Sequence, residues 1–152
     1  MKRFLLCCLV MLFVLVSCAR GSELSFDTLH QGVATHYGEQ GFVRADSDFV
    51  ESNFGKPDYL ADSAVFLSER GEIGIFSLND PAHAEEMLAL VNDYLALEQR
   101  SVIELAALYP ADELEARLAR FENAQSGAVG SVVYYSLLDE KDATTLQELL
   151  KG

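Results

Sequence analysis

Apolar positions fall into three kinds of pattern along the chain. Phe4 to Val16 is an uncharged, almost wholly apolar run between Lys2-Arg3 and Ser17-Cys18. From Phe26 the spacing becomes helical: Phe26, Leu29, Val33 and Tyr37 recur at threes and fours, so one face of a helix is apolar. Ser25 suits its N-cap, Asp27 its positive end and Gly38 its stop. A short turn of helix through Phe49, Val50 and Phe54, capped by Asp48, ends at Gly55-Lys56-Pro57-Asp58, because proline disfavours helix in the residue before it.

The third pattern is β. Ser63 to Glu69 and Glu72 to Leu78 flank Arg70-Gly71 and read as a hairpin. Val65, Leu67, Phe76 and Leu78 then share one face, and Ala64, Phe66, Ile73 and Ile75 the other. Asp80-Pro81 starts a long helix whose stripe runs Met87, Val91, Leu95, Val102, Leu105 and Tyr109, interrupted by Glu98 and Gln99 and stopped by Pro110 at about Leu108. Asp112 is placed to cap a second helix carrying Leu114, Leu118 and Phe121. Gln125 to Ala128 and Ser131 to Leu138 make another strand pair, and a helix from Asp142 with Ala143, Leu146, Leu149 and Leu150 closes the chain.

Strand pairs joined by helices, without βαβ alternation, predict an α+β fold with an antiparallel sheet of about four strands, in the order α-ββ-α-α-ββ-α. Both sheet faces are apolar. In the last strand Val133, Tyr135 and Leu137 oppose Val132, Tyr134 and Leu138, so neither face is left to water. If the long and C-terminal helices cover one face, the N-terminal helix alone covers the other. A partly exposed apolar strip is then expected there near Phe76 or Tyr134, as a docking face for a partner or second copy.

The opening run reads as a secretory leader: a basic start, an apolar centre shorter than the ~20 residues of a spanning helix, and a small residue before a cysteine. Leu15-Val16-Ser17-Cys18 resembles a bacterial lipoprotein box. The resemblance implies removal of residues 1–17, lipidation of Cys18, a tether over 18–24 and one domain over 25–152. It also implies the extracytoplasmic face of the cell membrane, with membrane lipid as a partner through acylated Cys18. Cys7 and Cys8 leave with the leader, so the domain holds no disulfide and no thiol nucleophile.

Charge narrows the partners. Once Lys2 and Arg3 are removed, the 11 Lys and Arg fall to 9 against 24 Asp and Glu, a net charge of −15. Such a surface is repelled by nucleic acid and by anionic lipid headgroups. Stable membrane attachment therefore rests on acyl chains, of which two or more suffice.

The stretches Asp62 to Leu67, Glu72 to Phe76 and Leu108-Tyr109-Pro110, with Asn123-Ala124 and Val132 to Tyr135, resemble the bacterial family catalogued as domain of unknown function 4358. The resemblance covers roughly Phe26 to the C-terminus, with Gln125 to Gly130 departing from the more β-branched, lysine-rich strand of the family. It implies a small envelope lipoprotein and this fold, and brings no catalytic residue with it.

No catalytic constellation, metal set or cofactor motif is readable. His30, His36 and His83 lack ligand spacing and read as solvated helix residues. Asp46-Ser47-Asp48 lacks the glycine and the terminal glutamate of a calcium loop. The pairs Glu85-Glu86, Glu113 with Glu115, and Asp139-Glu140 read as solvated acids. No Gly-x-Ser-x-Gly elbow, P-loop or dinucleotide fingerprint occurs. The function class expected is a binding module of the envelope, for a protein partner, itself or a ligand. An envelope hydrolase and an accessory subunit are the alternatives. A concavity with converging polar groups, at least one of them with a perturbed pKa, marks an enzyme, and an exposed apolar patch with a polar rim marks a binding module.

Overall fold

The computed structural model describes residues 24–151. Leu15, Val16, Ser17 and Cys18 lie outside the described residues. Helix α1, Phe26–Gly38, starts where the Ser25 hydroxyl accepts from the Thr28 N–H at 3.2 Å. Strand β1, Val43–Arg44, and helix α2, Ser47–Phe54, follow. Strands β2, Leu60–Ser68, and β3, Gly71–Leu78, form the first hairpin. A 3₁₀ turn, Pro81–His83, capped by Asp80, leads into helix α3, Ala84–Glu104. Helix α4 is Ala111–Glu122, β4 is Gln125–Val129, β5 is Val132–Leu137 and α5 is Glu140–Leu149.

The architecture is α+β with one antiparallel sheet in the order β1-β2-β3-β5-β4. Five strands replace the expected four. The extra one, β1, is two residues long and has no period to read; Val43 is largely exposed at the sheet edge. The first turn is Glu69-Arg70 and not Arg70-Gly71, since Ser68 pairs with Gly71. Moving a two-residue turn by one position moves every cross-strand partner by two, so the division between faces is preserved.

That division holds throughout. Ala64, Phe66, Ile73, Ile75 and Val132 join one cluster with half-buried Tyr134. Val65, Phe76, Leu78, Val133 and Tyr135 join the other. The helices divide differently from expectation. Leu146 of α5 packs with Leu29, Val33 and Tyr37 of α1 on the first face. Met87, Val91 and Tyr94 of α3 pack with Val50 and Phe54 of α2 on the second. Two helices on each face supply the cover that one helix lacks.

The expected strip at Phe76 is therefore absent. Phe76 is fully buried, with the Phe54 ring 4.9 Å away and edge-on. Tyr134 is half-buried toward the β4 edge, over Gly127.

Other differences are at helix ends. Asp46, and not Asp48, caps α2, accepting from the Phe49 N–H at 2.9 Å. Pro110 occupies the cap position of α4, leaving Asp112 in the first turn. Asp139, and not Asp142, caps α5, accepting from the Asp142 N–H at 2.9 Å, and Asp142 falls in the first turn. The long helix ends at Glu104, and a 3₁₀ turn over Ala106–Leu108 brings the chain to Pro110.

Candidate functional site

The register of β3 and β5 builds a polar cluster at the turn end of the sheet. Gly74 faces Tyr135 across the ladder. A Cβ at Gly74 would stand 1.9 Å from Tyr135 Cε1, so only glycine lets the ring lie on β3. The phenol thereby reaches Glu72, two residues along the same strand face, and donates to its Oε1. Tyr94 of α3 donates to the same carboxylate, at 2.9 Å to Oε1 and 3.0 Å to Oε2.

Glu72 is mostly buried, and burial pushes its carboxyl above the ordinary glutamate value; the two phenols partly offset this, and Glu98 adds to it. Tyr94 and Tyr135 are themselves pushed far up, by burial first and then by the Glu72 charge. They remain neutral donors at any physiological pH. No basic side chain lies within 4.0 Å of Glu72 among the described residues.

Glu72 opens onto a cavity of about 140 Å³ between the hairpin, β5, α3 and α4. Glu98 and Val102 enter from α3, one and two helical steps of four beyond Tyr94 and on the same side of the helix. Arg117, Arg120 and Phe121 enter from α4. Arg117 is held by Glu113, with Nε at 3.0 Å and Nη2 at 2.9 Å from one carboxylate oxygen, and lies over the Tyr109 ring at 4.6 Å. Arg120 is half-buried and makes no ion pair among the described residues. Burial, and next the Arg117 charge, lower its pKa.

Of the residues singled out from sequence, few meet here. Phe76 lies in the core beneath Tyr135, with ring centres 6.1 Å apart, and Tyr134 points to the opposite face. His30 stacks on Phe26 and meets the Phe66 ring at a tilt, and His36 pairs with Gln40 on α1. His83 stacks on Tyr59 and meets Glu86 at 3.2 Å. Among the described residues no three His, Cys, Asp or Glu gather as a metal site, and no helix is long and apolar enough to cross a membrane.

The residues that sequence reasoning passed over are Glu72, Tyr94, Arg117 and Arg120. Two signals for the site were present. Glu72 is an acid at a core-facing position of a strand apolar on both faces. Glu98 interrupts an apolar stripe. Arg117 and Arg120 carry no comparable mark, since α4 has no fully buried residue. Comparison of the chain with protein-family models, with curated proteins and with solved structures finds no match.

Proposed function

We propose that this chain is a lipid-anchored extracytoplasmic lipoprotein, held by acylated Cys18, whose domain binds a small ligand in the cavity between α3 and α4. The leader, the Leu15-Val16-Ser17-Cys18 box and the resemblance to the bacterial lipoprotein family support the anchor.

One observation carries the binding reading: the cavity and the chain's point of entry lie at opposite ends of the sheet. Leu24 and Ser25 gather with Asp62, Ser77 and Ser131 at one end. Ser68, Gly71 and Glu72 line the cavity at the other. Five residues of β3 separate Ser77 from Glu72, about 17 Å at ~3.3 Å per residue. A domain tethered just before Leu24 thus turns its cavity away from the bilayer, toward a dissolved ligand.

An envelope hydrolase is the second reading, favoured by one feature. A buried carboxyl with a raised pKa, facing a cavity, is what a general acid requires. Stoichiometric binding without turnover separates the two.

The anchor is tested by metabolic labelling with palmitate. The wild-type chain is expected to take the label and Cys18→Ala to lose it, together with cleavage of the leader. Label retained on Cys18→Ala would overturn the reading.

A further inference from the structure

The cavity walls carry opposite charges that do not neutralise one another. Glu72 and Glu98 stand on the sheet and α3 side, and Arg117 and Arg120 on the α4 side. Among the described residues no ion pair within 4.0 Å joins the two sides. The contrast with the neighbouring surface is informative. Arg117 uses Glu113, and Arg70 uses Asp139 and Asp142, whereas the other arginines and lysines without an ion pair among the described residues, Arg44, Arg100, Lys141 and Lys151, are exposed to water and Arg120 is not. In a chain with 24 acidic residues against 11 basic ones, a half-buried arginine with no acid within 4.0 Å among the described residues is not explained by scarcity; Asp139 and Glu113 act on Arg120 only from farther off.

A partly desolvated charge is stabilised by a partner of opposite sign, and a site with both signs held apart has two such demands. A simple anion would satisfy Arg120 and be repelled by Glu72 and Glu98. A simple amine would satisfy the acids and be repelled by the arginines. A molecule carrying both charges meets both demands at once. The guanidinium fork of Arg120 matches a carboxylate. On the acid side, Glu72 Oε2 accepts one phenol where Oε1 accepts two, which leaves it the freer oxygen for an ammonium donor.

Size sets the scale. About 140 Å³ is well below the 300–1,000 Å³ of drug-sized ligand pockets. The lining is mostly polar, and Leu67, Val102, Phe121 and Leu137 add a smaller apolar part with room for a short hydrocarbon side chain. From this geometry we propose that the cavity binds a small zwitterion of the free amino-acid type, its ammonium toward Glu72 and Glu98 and its carboxylate on Arg120. The proposal rests on the ligand-binding reading above and specifies its ligand.

The test is isothermal titration of the full chain, purified in non-ionic detergent, with the free L-amino acids that have apolar or small side chains. Propionate, propylamine and inorganic phosphate serve as single-charge probes. At least one amino acid is expected to bind, with propionate and propylamine each at least tenfold weaker. Arg120→Gln and Glu98→Gln are each expected to weaken the amino acid at least tenfold. Glu51→Gln, a surface change on α2, should leave it unaltered. Thermal melts establish that each variant is folded.

Three results would overturn the proposal. If propionate or phosphate binds as tightly as any amino acid and Glu98→Gln changes nothing, the cavity is an anion site; the ligand assignment fails and the binding reading stands. If an amino acid binds but neither cavity variant weakens it, the site lies elsewhere and both fail. If none of the probes binds, the zwitterion assignment is wrong, while palmitate labelling still decides the anchor separately.

Discussion

Arg70 and Glu72 stand two residues apart at the tip of one hairpin, and each belongs to a different electrostatic arrangement. On the α1 and α5 side, Arg70 Nη2 meets the buried Asp142 carboxylate at 2.6 Å, while its other terminal nitrogen donates to Gln40 at 2.7 Å. The Tyr37 hydroxyl donates to the Asp142 main-chain oxygen at 2.7 Å. This network ties α1, the hairpin tip and α5 together, and its buried acid has a cation. On the α3 side, Glu72 has two phenol donors and no cation, and it borders a cavity. Buried charge is retained in folded proteins when it is compensated. The first arrangement is complete within the chain and reads as structural. The second lacks a counter-charge, which is why it reads as a site.

The comparison can be broken first at Gly74. Its Cβ would collide with the Tyr135 ring, displacing the phenol from Glu72 and disturbing the packing of Phe76 beside it. Gly74→Ala is expected to cost about 3 kcal/mol, as for an overpacked core. Urea denaturation measures it, and a loss under about 1 kcal/mol would mean that the register does not hold the ring in place.

On the compensated side, Asp142→Ala removes the acid and leaves Arg70, which is close to half exposed, to find water. That exposure keeps the loss below the 3–5 kcal/mol of a fully buried pair, at about 2 kcal/mol. A loss within the ~0.5 kcal/mol of an ordinary surface change, in the same assay, would show that the pair is not structural.

The smallest effect separates the two arrangements by sign. Burial raises the Glu72 carboxyl above its ordinary 4.5, so the folded chain holds this proton more tightly than the unfolded chain. Its contribution to stability is thus most favourable below the unfolded value and is lost as pH rises through the folded one. Glu72→Gln removes that dependence. The variant is expected to lie within about 1 kcal/mol of wild type and to be the more stable at pH 7. Below pH 4.5 the difference should shift toward wild type. A difference independent of pH, read from denaturation curves between pH 4 and 7, would place Glu72 in an ordinary solvated setting.

Much of the scaffold for this comparison was legible beforehand. Strand parity separated Phe76 from Ile75 and Tyr135 from Tyr134, and it survived a turn displaced by one residue. Placing Phe76 and Tyr134 together on one face failed, because the pairing of β3 with β5 sets Phe76 opposite Val133 and so on the Tyr135 side. The expectation that Phe76 would be exposed failed for a specific reason. A helix stripe marks which side of the helix is buried but not which sheet face receives it. α5 joined α1, and the short α2 brought Phe54 over Phe76.

Local spacing alone determined the α+β class, the alternation of the strands and the positions of most helices, because those follow from periods of 2 and 3.6 within a few residues. Residues far apart in sequence had to be assembled to make the site: Glu72 from a strand, Glu98 from α3, and Arg117 and Arg120 from α4 line the cavity, while Tyr94 of α3 and Tyr135 of the last strand hold Glu72 from behind. Charge separation across a cavity is a property of distances between elements. Only the tertiary structure decided it, because no periodicity along the chain encodes which charged side chains will come within 4.0 Å of one another and which will not.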